Sequence, residues 1–133
     1  MLSKVLYRIL FLSWLVFVTF ASLFSFEENG LSLIKIPHFD KFVHFTFYFT
    51  MVILGILAVR EYFETPVKFK KVMVYVLLFA VAYGIIIEVL QYTLTSNRQG
   101  DILDALANTI GALLGMWVAK FLFSKKWSLK WKY

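Results

Sequence analysis

The chain contains no cysteine, which excludes disulfides, thiolate nucleophiles and cysteine-based zinc or iron–sulfur sites. Redox compartment cannot be read from that absence. The HExxH, GxSxG and P-loop patterns are missing too, so no known class of catalytic or nucleotide-binding motif applies. There is no internal repeat, low-complexity segment or linker long enough to separate domains, and the 133 residues read as a single domain, 1–133. Polar surface is scarce as well: 61% of the residues are hydrophobic and 20% aromatic, against about 45–50% apolar in a soluble domain. Such a chain cannot cover itself in water, and lipid must be part of its solvent.

A helix needs roughly 20 apolar residues to cross a hydrocarbon core of about 30 Å. Four stretches qualify, and they predict helices over about 7–26, 40–60, 71–94 and 101–123, followed by a short basic tail at 124–133. The expected fold is an all-α, integral membrane four-helix bundle. The first stretch, after Lys4 and Arg8, has the look of a signal peptide with Thr19-Phe20-Ala21 as a weak cleavage match. Its apolar run exceeds the roughly 7–15 residues of a signal h-region, and no soluble domain follows, so it reads as a retained helix.

Orientation follows from the basic residues. Eleven of the fourteen fall at the N-terminus, in the loop between the second and third helices and at the C-terminal end; only Lys35, Lys41 and Arg98 fall on the other side. Both termini are therefore expected in the cytoplasm, in a multi-pass protein of the cell inner (plasma) membrane. The formal charge of +6 would suggest nucleic acid on a soluble face. Here the lysines and arginines flank apolar runs, where anionic lipid and the insertion machinery explain them, and no nucleic-acid partner is expected. Trp127 and Trp131 among the tail lysines read as interfacial anchors.

The polar residues within the spans gather toward the expected outer leaflet. Helix two opens with Asp40, Lys41 and His44. Glu88 comes about 17 residues after Lys71 in helix three, roughly 25 Å of rise, with Gln91 one turn above it. Asn97, Arg98, Gln99 and Gly100 form the short outer loop, and helix four descends through Asp101, Asp104 and Asn108. Asp40 and His44 share a face, as do Glu88 and Gln91, and Asp101, Asp104, Asn108, Gly111 and Gly115 form one stripe. A neighbouring row of Ala107, Gly111, Gly115 and Ala119 has the small residues that let membrane helices approach closely, so helix four is expected to be central. No comparable polar cluster is evident at the inner ends.

Each residue also has a plainer role. Asp101 fits an N-cap of helix four, with Asp104 in the first turn favoured by the helix dipole, and Asp40 after Pro37 fits the same description. Lys41 and Arg98 suit headgroup contacts, His44 a structural hydrogen bond, and Gln91 and Asn108 interhelical glue. Glu88 resists such an account, because no helix start is near it and ionisable groups at membrane depth are unfavourable unless paired or hydrated.

Three separated motifs carry a resemblance. Asp40-Lys41-Phe42-Val43-His44-Phe45, then Glu88-Val89-Leu90-Gln91, then Arg98-Gln99-Gly100-Asp101-Ile102-Leu103-Asp104-Ala105-Leu106-Ala107-Asn108-Thr109-Ile110-Gly111 resemble the VanZ-like family in order and spacing, over residues 40–115. The resemblance implies a bacterial envelope protein, linked in some members to resistance to glycopeptides such as teicoplanin. It supplies no reaction.

Two main functions compete. In the first, the site binds or remodels a phosphate-bearing membrane lipid or lipid-linked envelope precursor, with Asp40, Lys41, Gln91, Arg98 and Asn108 as substrate-binding residues. In the second, it is a membrane-embedded hydrolase or transferase with His44, Glu88, Asp101 and Asp104 as catalytic candidates. A variant has those four holding a divalent metal. Transport through a proton relay is a third, weakened by the lack of polar groups in the inner half. A cage of carboxylates within metal-ligand reach favours the enzyme; separated Arg and Lys around a lipid groove favour binding.

Overall fold

The computed structural model describes residues 5–24, 38–63, 68–94 and 102–123. Over these the chain forms four α-helices: α1 (Leu6–Leu23), α2 (Phe39–Tyr62), α3 (Phe69–Leu94) and α4 (Ile102–Leu122). All four are long and apolar enough to cross a membrane. His38 takes a left-handed conformation (φ 61°) at the N-cap of α2, turning the chain into the helix directly after Pro37. Asp40 therefore lies in the first turn and is not the cap.

The outward faces are apolar. Val16 and Phe20 on α1, Tyr75, Leu78 and Tyr92 on α3, and Ile102 and Trp117 on α4 are all exposed. In water such surfaces would drive association; in hydrocarbon they are solvated. The buried core is built of Tyr48, Met51, Val52 and Ile56 from α2, joined by Val18, Val76, Ala80, Ala112 and Ala119.

The central helix is α2, which packs against each of the others, whereas α1 and α4 make no substantial contact with each other among the described residues. This corrects the expectation that helix four is central. The small residues of α4 bring one neighbour very close, and that neighbour is α2: a Cβ on Gly111 would collide with the Phe45 carbonyl oxygen, and one on Gly115 would lie 2.6 Å from that of Phe49. Close approach to one helix is not the same as being surrounded by several, and small-residue spacing reports only the former.

Polar bonds lock α1 to the rest. Trp14 Nε1 donates to the Phe47 carbonyl at 3.0 Å. Tyr83 on α3 donates to the Leu15 carbonyl at 3.0 Å and meets Thr19 Oγ1. At the opposite end from His44, Glu61 Oε2 accepts the backbone N–H of Arg8 at 3.0 Å and lies 3.7 Å from Arg8 Nε. Arg8 belongs to the first turn of α1, whose N–H groups have no partner within the helix, so Glu61 from α2 caps α1 across the interface.

Candidate functional site

The polar end of the bundle is formed by the start of α2, the last two turns of α3 and the start of α4. Residues three and four apart bring their side chains onto one face of each helix, and the tight α2–α4 contact sets those faces together. Lys41 Nζ donates to Asp104 Oδ1 at 2.7 Å and to Asp40 Oδ2 at 2.9 Å, pinning α2 to α4 at the rim.

One turn deeper, His44 Nδ1 and Asn108 Oδ1 are 3.0 Å apart, and Asn108 Nδ2 donates to Glu88 Oε1 at 3.1 Å. Because the amide nitrogen is committed to Glu88, the amide oxygen faces the imidazole, and His44 Nδ1–H is the donor in that bond. Glu88 Oε1 is itself 3.6 Å from His44 Nδ1. Asn108 thus spans two helices, orienting the His44 ring with one end and holding Glu88 with the other. His44 and Asn108 are buried. The side chains of Glu88 and Asp104 are 11% and 14% exposed, less enclosed than His44 and Asn108.

One ring nitrogen of His44 and one carboxylate oxygen each of Glu88 and Asp104 lie within 4.8 Å of one another. Three ligands, one imidazole and two carboxylates, from three helices therefore face one small volume, the arrangement expected of a site able to hold a divalent ion or to carry out proton transfer.

Six of the sequence-derived candidates meet here: Asp40, Lys41, His44, Glu88, Asp104 and Asn108. Gln91 is buried, and its amide nitrogen donates to the Ser22 carbonyl at 2.7 Å, tying α3 to α1. Arg98 and Asp101 lie outside the described residues.

Two features escaped the sequence reading. Tyr48 is wholly buried, its hydroxyl lacks a hydrogen-bond partner among the described residues, and it follows His44 by one turn on α2. A Cβ on Gly84 would be 3.4 Å from Tyr48 Cζ and 3.5 Å from Asn108 Nδ2, so the ring and the Asn108 amide both face Gly84. The advance by four from Asp40 through His44 to Tyr48 was a usable signal, hidden because tyrosine reads as one more aromatic. The Arg8–Glu61 pair was hidden because its partners are 53 residues apart.

No curated protein matches the chain, and neither does any solved structure. The profile of the VanZ/LLP1 family matches residues 3–123, nearly the whole chain and all three motifs around the cluster. The bundle with its polar end is thus a VanZ-like membrane protein, and the chain belongs to that family.

Proposed function

We propose that this protein takes the phosphate-bearing head of a membrane lipid or lipid-linked envelope precursor into the His44 cluster and remodels it by hydrolysis or group transfer. The site lies at the extracytoplasmic leaflet of the inner (plasma) membrane, with both termini in the cytoplasm, a placement supported by the eleven-to-three division of basic residues. The observation that carries the reading is the triangle of His44, Glu88 and Asp104 within 4.8 Å. Binding alone would be served by separated cations around a groove. A triangle of ionisable groups drawn from three apolar helices is unfavourable to build and favours chemistry.

The roles follow from position. Lys41, at the rim, is held by Asp40 and Asp104 where a headgroup phosphate would lie. Asn108 fixes the orientation of His44 and Glu88, so the reacting groups need little rearrangement when substrate arrives. The triangle can take the proton from the incoming oxygen, and Lys41 is the described cation placed to offset charge growing on the phosphoryl group. Altered display of the precursor would then link the protein to teicoplanin susceptibility. Binding without reaction is the second reading, favoured by the way Lys41, Asp40 and Asp104 already satisfy one another.

The test compares envelope lipids and precursors in bacteria lacking the protein and in bacteria expressing the wild type or Glu88→Gln, with teicoplanin susceptibility as a second readout. The wild type is expected to change one phosphate-bearing species, and Glu88→Gln, nearly the same shape, to lose at least about ten-fold of that change. A Gln variant as active as the wild type would remove the cluster from the chemistry. A lipid that copurifies but is never altered would favour the second reading.

A further inference from the structure

We infer that the cluster holds a divalent cation of the manganese class between His44, Glu88 and Asp104, and that this ion is the group that meets the lipid phosphate. The inference rests on the reading that the cluster is the working site, and it addresses a difficulty in that reading. Among the described residues the cluster holds three carboxylates, Asp40, Glu88 and Asp104, against one fixed cation, Lys41. A site with that surplus repels a phosphate. A divalent ion cancels the surplus and bridges carboxylate to phosphoryl oxygen, as metal ions do in phosphoryl-transfer sites.

The geometry supplies ligands. Glu88 and Asp104 offer oxygens and His44 a ring nitrogen, all within 4.8 Å; with Nδ1–H held by Asn108, Nε2 is the nitrogen left to bind an ion. Two ligands on opposite sides of one ion are separated by twice the bond length, about 4.2 Å for a small dication and about 4.6–5.2 Å for calcium. Only one pair of the three can lie opposite each other, and other pairs around a small dication stand about 3–3.6 Å apart, so the Glu88 and Asp104 carboxylates must rotate inward to take up an ion. Imidazole suits transition metals and carboxylates suit harder ions, so this mixed set selects manganese(II) or zinc over calcium, and the chain has no thiolate to draw softer metals.

A second observation points the same way. Tyr48 is fully buried one turn along α2 from His44, with a hydroxyl that is unpartnered among the described residues and a ring that faces Gly84 together with the Asn108 amide. Buried polar groups are satisfied in the great majority of cases, and one left unpaired next to a functional cluster marks the place of a ligand or ordered water. A water on the ion gives that hydroxyl a partner. Lys41 competes with the metal, because its ammonium sits on Asp104 at 2.7 Å.

The test uses the full-length protein in a non-ionic detergent, stripped with a chelator and titrated with Mn²⁺ alone while electron paramagnetic resonance follows the free ion. One Mn²⁺ per chain should bind. Glu88→Gln, Asp104→Asn and His44→Gln should each weaken binding by at least about ten-fold, and Zn²⁺ should displace the Mn²⁺. Lys41→Met should tighten binding several-fold, a gain that misfolding cannot produce. A wild-type protein that leaves the Mn²⁺ signal untouched at millimolar concentration overturns the ion, as do ligand variants that bind like the wild type. Altered envelope lipids without Mn²⁺ binding would also remove the ion while sparing the lipid reading. Mn²⁺ binding with unaltered lipids would keep the ion and remove the lipid reading.

Discussion

The backbone of Gly111 rests directly on the carbonyl of Phe45, and this contact sets the distance between His44 and Asn108. Phe45 follows His44 in α2, and Asn108 precedes Gly111 by three residues in α4. Wherever the two backbones stand at that contact, the imidazole and the amide follow. The 3.0 Å bond between His44 and Asn108 is thus a consequence of glycine one turn away, and packing and site are one construction.

Substitution along the α2–α4 contact should therefore be graded. Gly111→Ala meets a backbone oxygen closer than the one facing Gly115→Ala, while Gly84→Ala meets a tyrosine ring at 3.2 Å. Thermal stability in detergent should fall most for Gly111, less for Gly115 and least for Gly84. Leucine at Gly111 or Gly115 should cost at least about 1–3 kcal/mol, since backbone cannot move aside as a side chain can. Equal melting temperatures for both leucine variants and the wild type would refute a tight contact.

Tyr48→Phe removes a buried hydroxyl without a hydrogen-bond partner among the described residues. An unsatisfied buried group is unfavourable by about 1–3 kcal/mol, so melting of the metal-free protein should be unchanged or shifted upward. A drop of several degrees would mean that the hydroxyl is already satisfied and does not mark a ligand position.

Glu61→Ala should destabilise the protein by about 1–2 kcal/mol, because the Arg8 N–H loses its acceptor and α1 its cap. Glu61→Gln should lose less, since an amide oxygen still accepts that bond. Chemical denaturation of the two variants in detergent gives the comparison, and equal loss in both would place the effect in the charge alone.

The absence of native cysteine makes topology directly testable. Cysteines introduced singly as Glu64→Cys and Asn97→Cys should react with a membrane-impermeant reagent from opposite faces, Asn97→Cys from outside. Labelling of both from outside would reverse the assignment of the termini and move the cluster to the other leaflet.

The four spans were legible because apolar length is a local property: each run is long enough to cross hydrocarbon by itself. The polar set at one end was legible too, because helical rise converts residue number into depth, and Lys41, His44, Glu88, Asp104 and Asn108 fall at similar depths. The lateral arrangement was not. The sequence places Gln91 on the Glu88 face, yet its amide bonds to Ser22 on α1. It marks the α4 glycines as a contact without saying against which helix, and it does not distinguish Tyr48 from other aromatic residues.

The sequence by itself thus determined helix number, membrane depth and the chemistry available at one end, since these depend on composition and on a period of 3.6 residues. Only the tertiary structure decided that α2 is central, that Asn108 hydrogen-bonds both His44 and Glu88, and that Glu61 caps α1. The physical reason is that a helix's rotation about its axis and its choice of neighbour are fixed by side-chain packing between segments far apart in the chain. In hydrocarbon, where apolar residues gain little from facing one another rather than lipid, that choice rests on small-residue contacts and a few polar bonds.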